Sequence, residues 1–248
     1  MTLGQETKKE VASRIKLTLK KEFSKKPLFV ATLNPEILLR GGEQKDYRLI
    51  LESADLKIND GFGLQAAAFL KKEKIGERLA GADLAEMILE EVKKRNLNLG
   101  LALRQDGLSS KREVQQYLEK RGIKNFFVFS QSRDVFLESD NFPEKFKQSQ
   151  VLLVGLGEPW QERFIFQAIK KDYFPCLKLA VGVGGTFDFW TGRQRRAPRF
   201  LRKIGLEWWW RLIFQPKRFF RIWRATVVFL WRIRSEEHTS ELQSPNTI

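Results

Sequence analysis

Residues 150–173 read QVLLVGLGEPWQERFIFQAIKKDY, and the order of their parts decides the fold. After Gln150, Val151–Val154 is an unbroken apolar run, and Gln150–Val154 has the length of a strand buried on both faces. Gly155-Leu156-Gly157 breaks it with a turn. Pro159-Trp160-Gln161-Glu162 then opens a helix, and Glu162–Tyr173 continues it. A second apolar run, Leu177–Val183, follows at once and ends in Gly184-Gly185. Strand, glycine turn, helix and strand make a βαβ unit, whose two strands must lie parallel in one sheet.

Working outward, the same grammar repeats. Val11, Ile15, Leu19 and Phe23 recur at helical spacing within Thr7–Phe23, which predicts an amphipathic helix stopped by Pro27. Leu28–Leu33 predicts a buried strand. Asn34-Pro35 predicts the start of a helix, with Asn as cap and Pro at the first helical position, and a break at Gly41-Gly42. Leu56–Asn59 is the next strand, ended by Asp60-Gly61-Phe62-Gly63, and helical spacing resumes over Leu64–Lys72. Ala82–Arg95 predicts a helix, Leu97–Leu103 a strand, Ser109–Arg121 a helix and Lys124–Ser130 a strand. Ser110 with Glu113 three residues later has the pattern of a capping box. The alternation implies an α/β protein with a parallel-rich sheet covered by helices.

The alternation stops after Gly192. Residues 193–234 hold thirteen Lys or Arg against one acid, Glu207, and six of the seven tryptophans lie between Trp190 and Trp231. At about 100° per residue, Lys217, Arg218, Arg221, Arg224 and Arg232 share one sector of a helix, while Phe219, Trp223, Val227 and Leu230 share the other. Cations beside indoles suit the boundary between an apolar layer and phosphate, which means a membrane surface or a nucleic acid. The net charge of +15 likewise implies an anionic partner.

Composition narrows the chemistry. The single cysteine, Cys176, excludes a disulfide framework and fits a reducing cytoplasm. Met1–Lys26 lacks the apolar run of a signal peptide, and no window reaches the length of a spanning helix. Ser235–Ile248 abandons the basic-aromatic pattern; with Arg234 it resembles the translated read-through of a sequencing adaptor and is set aside. The only histidine, His238, falls there, which leaves no His-dependent mechanism and no His or Cys metal cage.

In open sheets of this kind ligands bind outside the carboxyl ends of the strands. Four unusual strings fall at such ends: Thr32-Leu33-Asn34, Asp60-Gly61-Phe62-Gly63, Gly155-Leu156-Gly157-Glu158-Pro159 and Gly182-Val183-Gly184-Gly185. Asp60 reads either as the cap of the following helix or as a general base at a sugar hydroxyl. The pairs Gly155/Gly157 and Gly182/Gly184 read as turns, or as loops whose N–H groups face a diphosphate. Neither is a P-loop, since Gly-Lys-Ser/Thr is absent. Arg78 reads as a solvated loop charge or a ligand contact. Gln161 reads as a donor to a sugar or base edge, whereas Glu162 favours the positive helix end and needs no further role.

Taken together these strings resemble a bacterial glycosyltransferase family, that of the N-acetylmannosaminyltransferases of teichoic-acid linkage units and the N-acetylmannosaminuronic acid transferases of enterobacterial common antigen. Val181 to Asp188, Arg196-Ala197-Pro198, Gly205-Leu206-Glu207-Trp208 through Arg211, and Pro216-Lys217-Arg218 extend the match over about residues 7 to 224. The resemblance implies a Rossmann-like α/β catalytic domain over residues 1–195. It also implies a basic helical appendage over 196–234 that docks on a membrane and helps complete the site.

It further implies an inverting transfer of an N-acetylmannosamine-type sugar from a UDP donor to N-acetylglucosamine on a polyprenyl diphosphate. Asp60 becomes the base, Thr32 and Asn34 position sugar, and Arg78 and Gln161 hold the donor and its diphosphate. Arg196, Arg211, Arg218, Arg221 and Arg224 meet lipid or diphosphate. No Asp-x-Asp pair occurs in the chain, so no metal and no cofactor is expected, and arginines with loop amides are expected to stabilise the leaving diphosphate. The expected place is the cytoplasmic face of the membrane, bound peripherally, with homo-oligomerisation left open. The rival readings are a nucleic-acid-binding protein and a catalytically silent lipid-binding one, both using the same basic tail.

Overall fold

Both faces of the first strand are apolar, and that dictates what surrounds it. In the computed structural model, which describes residues 3–22, 26–70, 74–198, 200–201, 210 and 228, all six side chains of β1 (Leu28–Leu33) are buried. Such a strand requires helices on both sides. Among the described residues six strands form one sheet: β1, β2 (Leu56–Asn59), β3 (Leu99–Arg104), β4 (Phe126–Gln131), β5 (Val151–Gly155) and β6 (Leu179–Gly182). Their order across the sheet is β2-β1-β6-β5-β3-β4, and every pairing is parallel. The α/β reading therefore holds, and the sheet is Rossmann-like.

Local chemistry sets the helices. Thr7 accepts a hydrogen bond from Glu10 N while Glu10 accepts from Thr7 N, a capping box that starts α1 (Lys8–Lys20) and turns Val11, Ile15 and Leu19 inward. Asn34 caps α2 (Pro35–Glu43) through a 2.9 Å bond from Ile37 N. The break expected at Gly41-Gly42 does not occur there. Gly41 is buried against Leu51, and the chain turns only at Gln44, before α3 (Lys45–Glu52). Next come α4 (Phe62–Leu70) and α5 (Gly81–Arg95), then α6 (Lys111–Lys120), which carries the predicted Ser110–Glu113 capping box. Three short helices, α7 (Arg133–Glu138), α8 (Glu144–Lys147) and α10 (Thr186–Trp190), flank α9 (Trp160–Lys170).

Two cores result, one on each face. On the first, α1, α5, α6 and Phe187 of α10 cover Val30, Ile58, Leu101, Leu153 and Val181. On the second, α2, α3, α4, α7, α8 and α9 cover Phe29, Leu33, Ala102, Leu152 and Ala180. The second is rich in aromatic rings, with Phe136, Phe142, Phe146, Phe164 and Phe174 meeting edge-on or tilted at 5.1–6.4 Å between centroids. This division positions the site. The loops leaving β1 and β5 turn toward the second face, and the loop leaving β6 between them turns toward the first. Loops parting at neighbouring strand ends open a crevice there.

Candidate functional site at the carboxyl ends of β1, β2 and β6

Thr32, the next-to-last residue of β1, is buried and donates from Oγ1 to the Gly182 carbonyl at 2.9 Å. Asp60 follows β2 and continues the ladder, its N–H donating to Leu33 O at 2.7 Å. Its carboxylate accepts from Gly81 N at 3.1 Å, so it sits on the first residue of α5. The cap role weighed for Asp60 is thus exercised on α5. A negative charge suits that helix end, which carries the positive pole of the α5 dipole. A Cβ placed on Gly81 would lie 3.6 Å from both Asp60 Oδ2 and Thr32 Cγ2, which measures how closely the two side chains converge.

The half-buried Arg78 lies two residues before α5's N-cap Ala80, next to Leu79, whose N–H donates to Asn59 O at 3.0 Å. The approach to α5 therefore runs beside the end of β2. Buried Asn59 fastens it further, donating to Gly76 O at 3.4 Å as well as to Gly4 O at 2.8 Å. Asn34 is partly buried at the end of β1, with its side-chain oxygen occupied as the α2 cap.

On the other side of the crevice Gln161 and the glycine loops meet. Gln161 is buried, and its Oε1 accepts from Gly184 N at 3.0 Å. Gly182 leaves room for Gln161, since a Cβ there would come within 2.7 Å of Gln161 Nε2 and force one of them to shift. Gly184 turns with φ +52°, in the left-handed region. Gly155 ends β5, and Gly157 starts the turn into α9, its carbonyl accepting from Gln161 N at 3.0 Å. The structure thus gathers Thr32, Asp60, Gln161, Gly182 and Gly184 around one crevice.

Glu162 departs from its reading as a simple helix-end acid. It is 1% exposed, accepting from Gln161 Nε2 at 2.6 Å and from Tyr47 Oη at 2.9 Å. Burial pushes its carboxyl above the usual carboxylate range, while the hydrogen bonds from Gln161 and Tyr47 act the other way. Burial, reinforced by the Glu162 charge, also raises the Tyr47 phenol, so Tyr47 remains the donor. The signal for this was present: Gln161, Phe164, Ile165 and Ala168 follow i, i+3, i+4, i+7, which brings the Gln161-Glu162 pair to the inward face of α9. A second unforeseen contact joins Ser109 Oγ to Asp188 Oδ1 at 2.8 Å, both buried.

The basic stretch begins against this body. Arg193 Nε donates to Glu113 at 2.7 Å, Arg196 pairs with Asp83 of α5 at 2.8 Å, and Ala197 and Leu201 are buried. Arg211, Arg218, Arg221 and Arg224 lie outside the described residues, as do residues 235–248 and, apart from Val228, the predicted basic helix. Among the described residues no helix is long and apolar enough to cross a membrane. A groove of about 490 Å³ lined by Arg14, Leu17, Lys21, Lys26 and Asp55 lies at the amino end of β1, at the edge of the sheet away from the crevice.

A parallel, doubly covered sheet with a carboxylate, a threonine and glycine loops around a strand-end crevice defines a Rossmann-like α/β protein of the kind that binds ligands at its strand ends. The chain belongs to the glycosyl transferase WecG/TagA/CpsF family, whose sequence model matches residues 2–242. It is 31% identical over 204 residues to a Bacillus spizizenii protein named N-acetylglucosaminyldiphosphoundecaprenol N-acetyl-beta-D-mannosaminyltransferase, covering 79% of this chain and 75% of that one. Proteins of the same name from Bacillus subtilis and Staphylococcus aureus are 27% and 26% identical over 222 and 210 residues. Those matches cover 84% and 83% of this chain, and 80% and 79% of the relatives.

Proposed function

We propose that this protein is an inverting glycosyltransferase that moves an N-acetylmannosamine-type sugar from a UDP donor to N-acetylglucosamine carried on a polyprenyl diphosphate. The observation that carries the reading is the convergence of Asp60 and Thr32 at the α5 N-terminus, opposite Gln161 and the β6 loop. It comes in a chain whose relatives are named for that transfer. Asp60 takes the proton of the attacking acceptor hydroxyl. The hydroxyl oxygen forms the new bond to the anomeric carbon from the face opposite the leaving group. The bond from that carbon to the diphosphate oxygen breaks, and UDP departs with the electron pair.

Thr32 and Asn34 position sugar beside Asp60, and Arg78 and Gln161 hold the donor. The growing charge on UDP is met by Arg78, loop amides at Gly155, Gly157, Gly182 and Gly184, and arginines of the appendage, without a divalent cation. Residues 196–234 act as the appendage, bringing Arg196, Arg211, Arg218, Arg221 and Arg224 to anionic headgroups and the lipid diphosphate on the inner face of the cytoplasmic membrane. Residues 1–195 form the catalytic domain.

The test is UDP release from a panel of UDP-sugars, with and without prenyl-diphosphate-linked N-acetylglucosamine, in EDTA. Acceptor-dependent release from one donor is the expected result and names the sugar. Release that needs added magnesium or manganese would overturn the metal-independent part. Silence with every donor and metal would overturn the enzyme. Co-sedimentation with anionic vesicles, against an oligonucleotide control, tests the surface.

A further inference from the structure

Two buried polar side chains that are neighbours in sequence, Gln161 and Glu162, occupy the inward face of α9 beside the crevice, 3% and 1% exposed. Groups this deep are tolerated only when their hydrogen-bonding atoms are matched. Here the matching has a direction. The Gly184 N–H can only donate, so it must face the oxygen of the Gln161 amide, 3.0 Å away. That leaves the amide nitrogen for Glu162, whose Oε1 accepts from it 2.6 Å away. Turning the amide over would set NH₂ against the Gly184 N–H. Tyr47 satisfies the second Glu162 oxygen, the one Gln161 does not use, donating to it at 2.9 Å from a helix 115 residues earlier in the chain. Gly182, the last residue of β6, leaves the space that the Gln161 side chain takes.

An amide nitrogen carries two hydrogens, and Glu162 takes one. We propose that Glu162 is a positioning residue: it locks the Gln161 amide so that Oε1 holds the Gly184 loop and the second Nε2 hydrogen is preset for a diphosphate oxygen of the donor. This rests on the reading of the crevice as a UDP-sugar site. It assigns Glu162 a task that reaches the substrate only through Gln161.

Three variants of the full chain separate this from a plain packing role. Glu162→Gln keeps an oxygen for Gln161 Nε2 and can donate to Tyr47, so its donor KM stays within a few-fold of wild type. Glu162→Leu removes the acceptor and raises the donor KM at least about tenfold, with the acceptor KM unchanged and Gly184 amide exchange accelerated. Tyr47→Phe lowers the unfolding temperature and leaves the donor KM near wild type. A purely structural Glu162 would lower the amount of folded enzyme, and hence the apparent kcat, without moving KM. An unchanged donor KM in Glu162→Leu, or an equal rise in Tyr47→Phe, overturns the assignment.

UDP titration of the labelled wild-type protein reads the same point without turnover and without relying on Glu162→Leu to fold. The Gln161 side-chain amide signals shift while Gly184 N–H stays protected from exchange. UDP that binds without moving those signals also overturns the proposal. Failure of every UDP-sugar to turn over counts against the enzyme reading, and the titration still decides this one.

Discussion

The two ends of the sheet solve the same problem differently. At the amino ends, polar side chains mend the backbone where strands begin: Asp55 accepts from Phe29 N at 3.0 Å and from Lys26 at 2.6 Å, and Gln150 accepts from Asn98 N at 3.1 Å. Asp55 and Gln150 are partly buried, and Lys26 and Asn98 are exposed. At the carboxyl ends, polar side chains are buried and join segments far apart in sequence. Thr32 reaches Gly182, Tyr47 reaches Glu162 and Ser109 reaches Asp188, across 150, 115 and 79 positions. Burying a polar group costs free energy unless it is paired, and an apolar alternative of like shape is often as stable. Buried polar groups that join remote segments at one end therefore single out that end as the candidate site.

The sharpest way to break this contrast is Asp60→Asn. Its N–H to Leu33 is backbone and survives, and the amide oxygen can still accept from Gly81 N, so folding should be retained. Loss of a general base predicts a fall in kcat of about 10²–10⁴-fold, read from steady-state UDP release. Transfer within a few-fold of wild type would remove Asp60 from the chemistry. Next in size is Gly182→Ala. Its methyl would sit 2.7 Å from Gln161 Nε2, so either the strand or Gln161 must move. Overpacking predicts a stability loss of roughly 1–3 kcal/mol with a raised donor KM. Denaturant unfolding and kinetics on one preparation check both. At the amino end, Asp55→Ala strips the acceptor from Phe29 N and should lower stability by about 1–2 kcal/mol, leaving the donor KM unmoved. A donor KM that changes as much as in Gly182→Ala would erase the distinction between the two ends.

What could be read from sequence follows the same line. All six strands and the longer helices were legible because their signals are local: apolar runs, the Asn34-Pro35 start, and the Ser110–Glu113 box. The helices α7, α8 and α10 span six, four and five residues, fewer than two turns, and leave no period to detect. The α3 helix was hidden behind Gly41-Gly42, which looked like a break until Leu51 packed on Gly41. Strand order depends on β6 inserting between β1 and β5, a long-range event without a local mark. The candidate site was legible as four strand-end strings, since glycine and acid clusters stand out. Its wiring was not, because the acceptor of Thr32 and the Tyr47 donor to Glu162 come from remote segments.

The smallest effect tests how the basic stretch is fastened to the carboxyl end of the sheet. Glu113 closes the α6 capping box and meets Arg193 at 2.7 Å, on the surface. The backbone hydrogen bond at Ser110, then Arg193, then the Ser110 hydroxyl hold its carboxyl down at about 2, against an ordinary value of 4.5. A folded value below the unfolded one means the contribution to stability is present above about pH 4.5 and is lost as the pH falls toward 2. Glu113→Gln keeps a capping-box acceptor and removes only the charge. Its unfolding temperature should therefore lie slightly below wild type at pH 7, and the gap should close between pH 4.5 and 2. Added salt at pH 7 should narrow the gap too, because the pair is solvent-exposed. A gap that persists at pH 2 would show that the packing of the side chain matters rather than its charge. The junction with the basic stretch would then be held by the buried Ala197 and Leu201 instead.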